Sequence, residues 1–148
     1  MSRPAPDRAA CEGRLAVSGR REDIERIERR IRDAMERCGY DQAAVFAVQT
    51  ALEEAISNAV HHGNNGDPAR EVRLTYATDP RSVEIEVEDE GRGFDPLAVP
   101  DPTRPENVDI PCGRGIMLMR AYMTEVEFRP PGNRVRMRYV RKPARRSA

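Results

Sequence analysis

The stretch Glu54-Ala55-Ile56-Ser57-Asn58-Ala59-Val60-His61-His62-Gly63 decides the fold of this chain. It ends a longer segment in which apolar residues recur at helical spacing, so we predict a buried helix that Asp41 caps and Gly63 ends. Glu54 and Asn58 are four residues apart and therefore point in one direction from this helix. Their carboxylate and carboxamide oxygens suit a hydrated Mg²⁺ ion.

A second segment, Asp89-Glu90-Gly91-Arg92-Gly93-Phe94, follows a stretch in which apolar and acidic residues alternate. The alternation predicts a strand, and glycines at its end let the backbone approach a ligand that a Cβ would exclude. A tight chain reversal explains the same residues, and a Glu-x-x-x-Asn pair is common on exposed helices. Each segment taken alone therefore leaves a structural explanation open.

A third element, Gly113-Arg114-Gly115, opens another predicted helix. Five prolines lie between residues 95 and 112, so we expect a long loop before this helix. The free N–H groups and the positive dipole of a helix N-terminus bind phosphate, and long loops beside such sites often act as lids. The order of the three elements along the chain predicts a nucleotide site.

Composition limits the classes of protein that are compatible with this sequence. The chain has 148 residues, which predicts one domain, and its 25 basic residues balance its 25 acidic residues. The balance argues against a nucleic-acid-binding protein. The sequence shows no apolar signal segment and no stretch long enough to span a membrane, so we expect a cytoplasmic protein. The three cysteines are too widely spaced for a zinc site and are expected to be free thiols.

We expect residues 1–10 to form a flexible leader, residues 11–141 to form the folded domain and residues 142–148 to form a basic tail. An amphipathic helix is predicted from Arg20 to Gly39, where the glycine ends it. The other predicted elements are strands at 13–17, 71–77, 83–88, 125–129 and 134–140 and a helix at 115–123. Together they predict an α+β fold, a two-layer sandwich with helices on one face of a mostly antiparallel mixed sheet.

In their order and spacing, the three elements resemble the GHKL superfamily of ATP-binding domains, which includes histidine kinases, gyrase-type ATPases and heat-shock chaperones. The small bacterial anti-sigma-factor serine kinases are the most similar group. The resemblance covers about residues 12 to 140 and implies the Bergerat-type ATP-binding fold with ATP and Mg²⁺ as cofactors.

Residue by residue, the resemblance implies that Glu54 is the catalytic base for a partner's serine hydroxyl and that Asn58 is the Mg²⁺ ligand. Asp89 matches the carboxylate that accepts a hydrogen bond from the adenine 6-amino group. The other nucleotide contacts that it implies are His62 near the phosphates, Gly91 and Gly93 beside the base and ribose, and Gly113, Arg114 and Gly115 on the phosphates.

Two features depart from the family pattern. The family often has a threonine after the glycine of the last hairpin, where it supports the adenine-binding aspartate, whereas here Asn133 and Arg134 follow Gly132. The prolines in residues 95–111 predict a stiffer lid than many relatives use.

The resemblance implies a protein serine/threonine kinase that acts as an anti-sigma regulator in a bacterial partner-switching system. Its partners would be a sigma factor, an anti-sigma-factor antagonist or both. A catalytically silent ATP-binding module stays open as an alternative, because the same pocket serves both functions. A third alternative is a scaffold whose site is degenerate. The helix at 24–38 and the sheet edges are candidate partner or homodimer surfaces, although packing in the chain's own core explains the helix more simply. His61 and His62 alone make a poor metal site.

Overall fold

The computed structural model describes residues 11–67, 69–91, 111–130 and 133–142, with the side chains of residues 111–114 left aside. The expected leader, most of the proline-rich loop and the tail from residue 143 lie outside the described residues. No helix within the described ranges is long and apolar enough to cross a membrane.

Within the described residues, five strands form one sheet: β1 (Cys11–Val17), β2 (Val72–Thr78), β3 (Ser82–Glu88), β4 (Glu125–Arg129) and β5 (Arg134–Val140). Their order across the sheet is β1-β2-β3-β5-β4. Every described pairing is antiparallel. The predicted α+β fold is therefore confirmed, but the described sheet is antiparallel and not mixed.

In the described part of the chain, three α-helices pack on one face of this sheet: α1 (Arg21–Arg37), α2 (Gln42–Asn58) and α3 (Pro111–Tyr122). The predicted cap of α2 is confirmed, because the Asp41 carboxylate accepts a hydrogen bond from the Ala44 N–H at 2.8 Å. Gly39 ends α1 with φ of 82°, a left-handed conformation that glycine adopts without steric cost.

The apolar stripe of α1 packs into the chain's own core. Ile27, Ile31 and Met35 are fully buried there, alongside Leu52 and Ile56 of α2. Burial of each such side chain stabilises the fold by about 1.5–3 kcal/mol relative to exposure. The stripe is therefore not available to a partner, and the simpler of the two explanations for this helix is correct.

The opposite face of the sheet is charged. β3 presents acidic side chains and β5 presents arginines, and Arg134 contacts Glu86 at 3.1 Å and Glu88 at 2.8 Å. A further ion pair joins Arg136 to Glu84. The helices and the site therefore lie on one side of the sheet, and a polar surface lies on the other.

Arg141, the last residue of the predicted domain, is held against the end of α1. Its guanidinium donates hydrogen bonds to the carbonyl oxygens of Cys38 at 3.2 Å and Gly39 at 2.6 Å. It also lies 5.0 Å from the ring centroid of Tyr40. The C-terminal strand is thereby connected to the helical layer.

Two helix boundaries differ from the prediction. The segment after α2 continues to Gly63 as a π-helical turn, Ala59–Gly63, which helical periodicity does not distinguish from an α-helix. α3 begins at Pro111, four residues before the predicted start. Proline lacks an N–H, but the first residue of a helix needs none, so Pro111 begins the helix instead of ending the loop.

Candidate functional site

Glu54 and Asn58 lie on α2 at the edge of its buried face. The neighbouring positions Ala51, Ala55 and Ile56 are buried in the core, whereas Glu54 and Asn58 are each partly exposed. Because four residues make slightly more than one helical turn, both polar side chains project from the same side of α2. The helix thus holds them in one orientation at the surface of the core.

The N-terminal half of α3 closes on these two side chains at Gly115. A Cβ on Gly115 would lie 3.0 Å from Glu54 Oε2 and 3.2 Å from Asn58 Nδ2. Both polar groups therefore meet at one point on the α3 backbone, and only glycine leaves them undisturbed there. The third sequence element is brought into contact with the first, as the nucleotide-site prediction requires.

Residues 113 and 114 lie in the first turn of α3. The free N–H groups of such a turn carry the positive end of the helix dipole, which attracts phosphate oxygens. Gly113 and Arg114 directly precede Gly115, whose missing side chain leaves room for Glu54 and Asn58.

Asp89 follows β3, and its carboxylate fits against a backbone that lacks side chains. A Cβ on Gly63 would overlap the Asp89 carboxylate, and a Cβ on Gly91 would overlap the carbonyl oxygen of Gly63. The Gly91 N–H also donates a 2.7 Å hydrogen bond to Asp89 Oδ1. Two glycines therefore allow the end of β3 and the π-helical turn to approach closely.

Asn133, directly before β5, supports Asp89. Because Glu88 pairs with Arg134 in the sheet register, Asn133 lies opposite Asp89. The Asp89 N–H donates to the carbonyl oxygen of Asn133 at 2.9 Å, and Asn133 Nδ2 donates to the carbonyl oxygen of Asp89 at 3.0 Å. Asn133 fixes the backbone of Asp89, so the position after Gly132 retains a supporting role although it is not threonine.

Asn64 is a third residue at this end of the sheet, and sequence reasoning missed it. Its side chain is 2% exposed, although it follows Gly63 in a turn-rich segment. Asn64 Nδ2 donates to the carbonyl oxygen of Glu71 at 3.1 Å, and Asn64 Oδ1 accepts from the Glu90 N–H at 2.8 Å. No sequence signal separates Asn64 from the exposed Asn65 beside it.

One cleft between α2, α3 and the sheet contains both Asn58 and Asp89. Apolar side chains form most of its walls, and the two polar groups lie in different parts of its lining. The cleft is lined by Ala55, Asn58, Ala59, Gly63, Val87, Asp89, Met119, Phe128, Asn133, Arg134 and Val135.

The two candidate carboxylates are both harder to ionise than usual. Burial raises the pKa of Glu54, and the neighbouring charge of Glu53 raises it further. Burial also raises the pKa of Asp89, with the Gly91 N–H opposing that shift and Glu88 adding to it. Carboxylates with raised pKa values beside a cleft are typical of functional sites.

The structure does not test two of the predicted nucleotide contacts, those of His62 and Gly93. His62 is exposed on the π-helical turn that follows Asn58. Gly93 lies outside the described residues. The implied contacts of His62 and Gly93 with a nucleotide therefore stay predictions.

The donor set fits the cofactors that the sequence implied. A carboxamide and a carboxylate meet beside Gly115, and oxygen ligands of this kind suit Mg²⁺. In Asp89, Oδ1 accepts from Gly91 while Oδ2 faces Gly63, so the carboxylate retains capacity to accept from an amino group in the cleft. An adenine nucleotide with a bound metal ion would fit both parts of the site.

Comparison with known proteins identifies the family. The family model of the histidine kinase-like ATPase domain matches residues 17–139. Serine-protein kinase RsbW of Oceanobacillus iheyensis is 28% identical over 98 residues, which cover 62% of this chain and 62% of the relative. Serine/threonine-protein kinase BtrW of Bordetella bronchiseptica is 30% identical over 86 residues, covering 56% of this chain and 60% of the relative.

An anti-sigma F factor from a Geobacillus species is 29% identical over 102 residues, covering 64% of this chain and 66% of the relative. The chain spans 62% of the length of the Oceanobacillus relative and 50% of the length of an RsbW from Listeria monocytogenes. The family match covers most of the chain and includes all three sequence elements. The chain therefore belongs to the histidine kinase-like ATPase domain family.

Proposed function

We propose that this protein is an ATP- and Mg²⁺-dependent protein serine/threonine kinase that acts as an anti-sigma regulator. The observation that carries the proposal is the contact of Gly115 with both Glu54 and Asn58, at one part of a site whose cleft also holds Asp89. This arrangement supports a nucleotide that would bind with its base at Asp89 and its phosphates at the start of α3.

The base of the nucleotide would bind between the apolar walls of the cleft. Asp89 would accept a hydrogen bond from the adenine 6-amino group, with Gly91 and Gly93 leaving room for the base and ribose. At the other end, the N-terminus of α3 would bind the phosphates through the backbone of Gly113, Arg114 and Gly115. His62 would contribute near the phosphates.

Asn58 would hold Mg²⁺ through its carboxamide oxygen. When bound, the ion would neutralise phosphate charge and orient the terminal phosphoryl group. Glu54 lies one helical turn before Asn58, so a hydroxyl placed at the terminal phosphate would come within reach of its carboxylate.

Glu54 would act as the general base. Its carboxylate would take the proton of a serine hydroxyl while the hydroxyl oxygen forms a bond to the γ-phosphorus and the bond to the β–γ bridging oxygen breaks. ADP would leave with the electron pair of that bond. A raised pKa makes Glu54 a stronger base than an ordinary carboxylate, which favours proton transfer.

The names of the relatives support the choice of partner. They include serine-protein kinases and an anti-sigma F factor, so we expect a sigma factor, a serine-bearing antagonist of the anti-sigma factor, or both, as protein partners. A homodimer is a further expectation from the resemblance.

Transfer of the γ-phosphoryl group from radiolabelled ATP tests the proposal. The acceptors should be the products of neighbouring genes, tested one at a time with and without Mg²⁺, and we expect one of them to be labelled on serine. ATP binding without transfer to any acceptor would favour the catalytically silent module. Failure to bind any adenine nucleotide would leave only the scaffold.

A further inference from the structure

Asn64 is a buried side chain near the cleft, and the proposed chemistry does not use it. Its carboxamide joins Glu71, directly before β2, to Glu90, two residues after the end of β3. Its own N–H donates to the carbonyl oxygen of Ala59 at 2.9 Å, which ties it to the π-helical turn. One buried residue therefore connects three segments of the chain.

The positions of these three segments determine the orientation of the Asp89 carboxylate. Asn64 is adjacent to Gly63, whose missing side chain leaves room for the Asp89 carboxylate. Glu90 is adjacent to Asp89 itself, and its N–H is held by Asn64 Oδ1. Asn64 follows Gly63 and Glu90 follows Asp89, so the hydrogen bond between Asn64 and Glu90 holds Gly63 against Asp89.

A second bond reinforces the same junction from the solvent side. The Glu71 N–H donates to Glu90 Oε2 at 2.9 Å, while the Glu71 carbonyl accepts from Asn64 at 3.1 Å. Glu90 is exposed and Asn64 is buried, so the interior bonds of Asn64 are the ones shielded from water.

We propose that Asn64 is a positioning residue that sets the nucleobase selectivity of the site by fixing Asp89. The inference rests on the proposed function, because it takes Asp89 to be the acceptor for the adenine amino group. Without the Asn64 bonds, the Asp89 turn would move relative to Gly63, and the carboxylate would no longer meet the amino group in a fixed geometry.

A purely structural role for Asn64 predicts a different change in nucleotide affinity when the residue is substituted. Loss of two buried hydrogen bonds lowers stability wherever they lie, and every nucleotide would then bind less well in proportion. A positioning role instead weakens ATP selectively over ITP, because hypoxanthine carries a carbonyl oxygen where adenine carries the amino group.

Calorimetric titration of the full chain with Mg²⁺-ATP and Mg²⁺-ITP separates the two roles. We expect the ATP-to-ITP affinity ratio to fall about tenfold in Asn64→Ala, with ITP affinity changed by less than about threefold. Asn64→Ser, whose short side chain cannot span Glu71 and Glu90, is the second variant if the alanine variant does not fold, and the same fall is expected.

The matched control is a substitution of Ile31, chosen as valine or alanine to give the same loss of thermal stability. Ile31 is fully buried on α1 and does not line the cleft, so its variants should keep the wild-type ratio. A double-mutant cycle with Asp89→Asn adds a second readout, because Asn64→Ala should change the ratio no further once Asp89 is neutral.

An unchanged ratio in both Asn64 variants, or an Asn64 effect that persists in full beside Asp89→Asn, would overturn the inference and leave the proposed function intact. Wild-type protein that binds ATP no better than ITP would instead remove Asp89 as the adenine acceptor. That result defeats the adenine assignment and the inference together before any variant is made, whereas the proposed kinase function fails separately, on the absence of phosphoryl transfer.

Discussion

The carboxylate of Asp89 occupies the space that a side chain on Gly63 would need. These two residues belong to different sequence elements, the end of the helical stretch and the start of the glycine-rich turn. Their contact joins the two elements into one site, and it makes that site sensitive to a single methyl group.

Gly63→Ala should therefore damage nucleotide binding directly. The added Cβ would push the Asp89 carboxylate out of place, and we expect about a tenfold loss of ATP affinity together with a stability loss of about 1–3 kcal/mol from overpacking. Gly66→Ala is the matched control, since Gly66 has φ of 69° but a Cβ added there would have no atom within 4 Å. Titration calorimetry should show normal ATP affinity for that control, and equal losses in both variants would mean that strain, not Asp89, is responsible.

Asp89→Asn should raise stability and abolish selective ATP binding. Burial raises the pKa of Asp89 in the folded chain, so the folded state binds more protons than the unfolded state between the usual and the raised pKa. Protonated Asp89 therefore adds to the free energy of unfolding at low pH, and this contribution is lost as pH rises through the raised pKa. Urea unfolding should find the asparagine variant more stable than wild type at neutral pH, with a smaller dependence on pH in the acidic range.

The same carboxylate gives ATP affinity the opposite dependence on pH. An adenine amino group needs the ionised carboxylate as its acceptor, so wild-type affinity should fall as pH drops through the raised pKa of Asp89. Asp89→Asn should lack that dependence. A wild-type affinity that is constant through the acidic range would contradict the adenine assignment.

Gly115→Ala should separate stability from function. Alanine favours a helix over glycine by about 1 kcal/mol, so thermal stability should hold or rise. The new Cβ would lie 3.0 Å from Glu54 Oε2 and 3.3 Å from Asn58 Oδ1, which displaces both groups. We expect at least about a tenfold loss of phosphoryl transfer, since small misplacements of reacting groups are costly. A variant with normal transfer would show that Gly115 does not restrict the geometry.

Arg141→Ala should affect stability alone. The guanidinium joins the end of β5 to the carbonyl oxygens at the end of α1 and lies beside the Tyr40 ring. Its removal should cost about 1–3 kcal/mol by chemical denaturation, because hydrogen bonds to a charged group are lost. ATP affinity should stay unchanged, as Arg141 does not line the cleft. Arg141→Lys is expected to recover part of the loss.

The helices and strands could be predicted because apolar residues recur along the sequence at the spacing that buries them on one face of a helix or strand. Val83, Ile85 and Val87 alternate with glutamates, and they are the inward residues of β3. The ranges Glu125–Arg129 and Arg134–Val140 are also as predicted, because a glycine- and proline-rich turn separates two alternating segments.

The predictions failed where the controlling contact is not local. Asn64 lies in a run of turn residues, and its side chain bonds to the carbonyl oxygen of Glu71 and the N–H of Glu90, which lie 7 and 26 residues further along the chain. The π-helical turn at Ala59–Gly63 has no signature in periodicity, because it adds one residue to a single turn.

The central claim is that Glu54 is the general base of a kinase. The rate of phosphoryl transfer by the Glu54→Gln variant tests it most directly. Glutamine keeps the size of the side chain but cannot take a proton, so Mg²⁺-ATP affinity should stay within about threefold while transfer to a serine acceptor falls by about 10²-fold or more. Wild-type transfer should itself decline as pH falls through the raised pKa of Glu54, since the base must be ionised. Transfer at the wild-type rate by Glu54→Gln, at unchanged ATP affinity, would contradict the assignment of Glu54 as the general base.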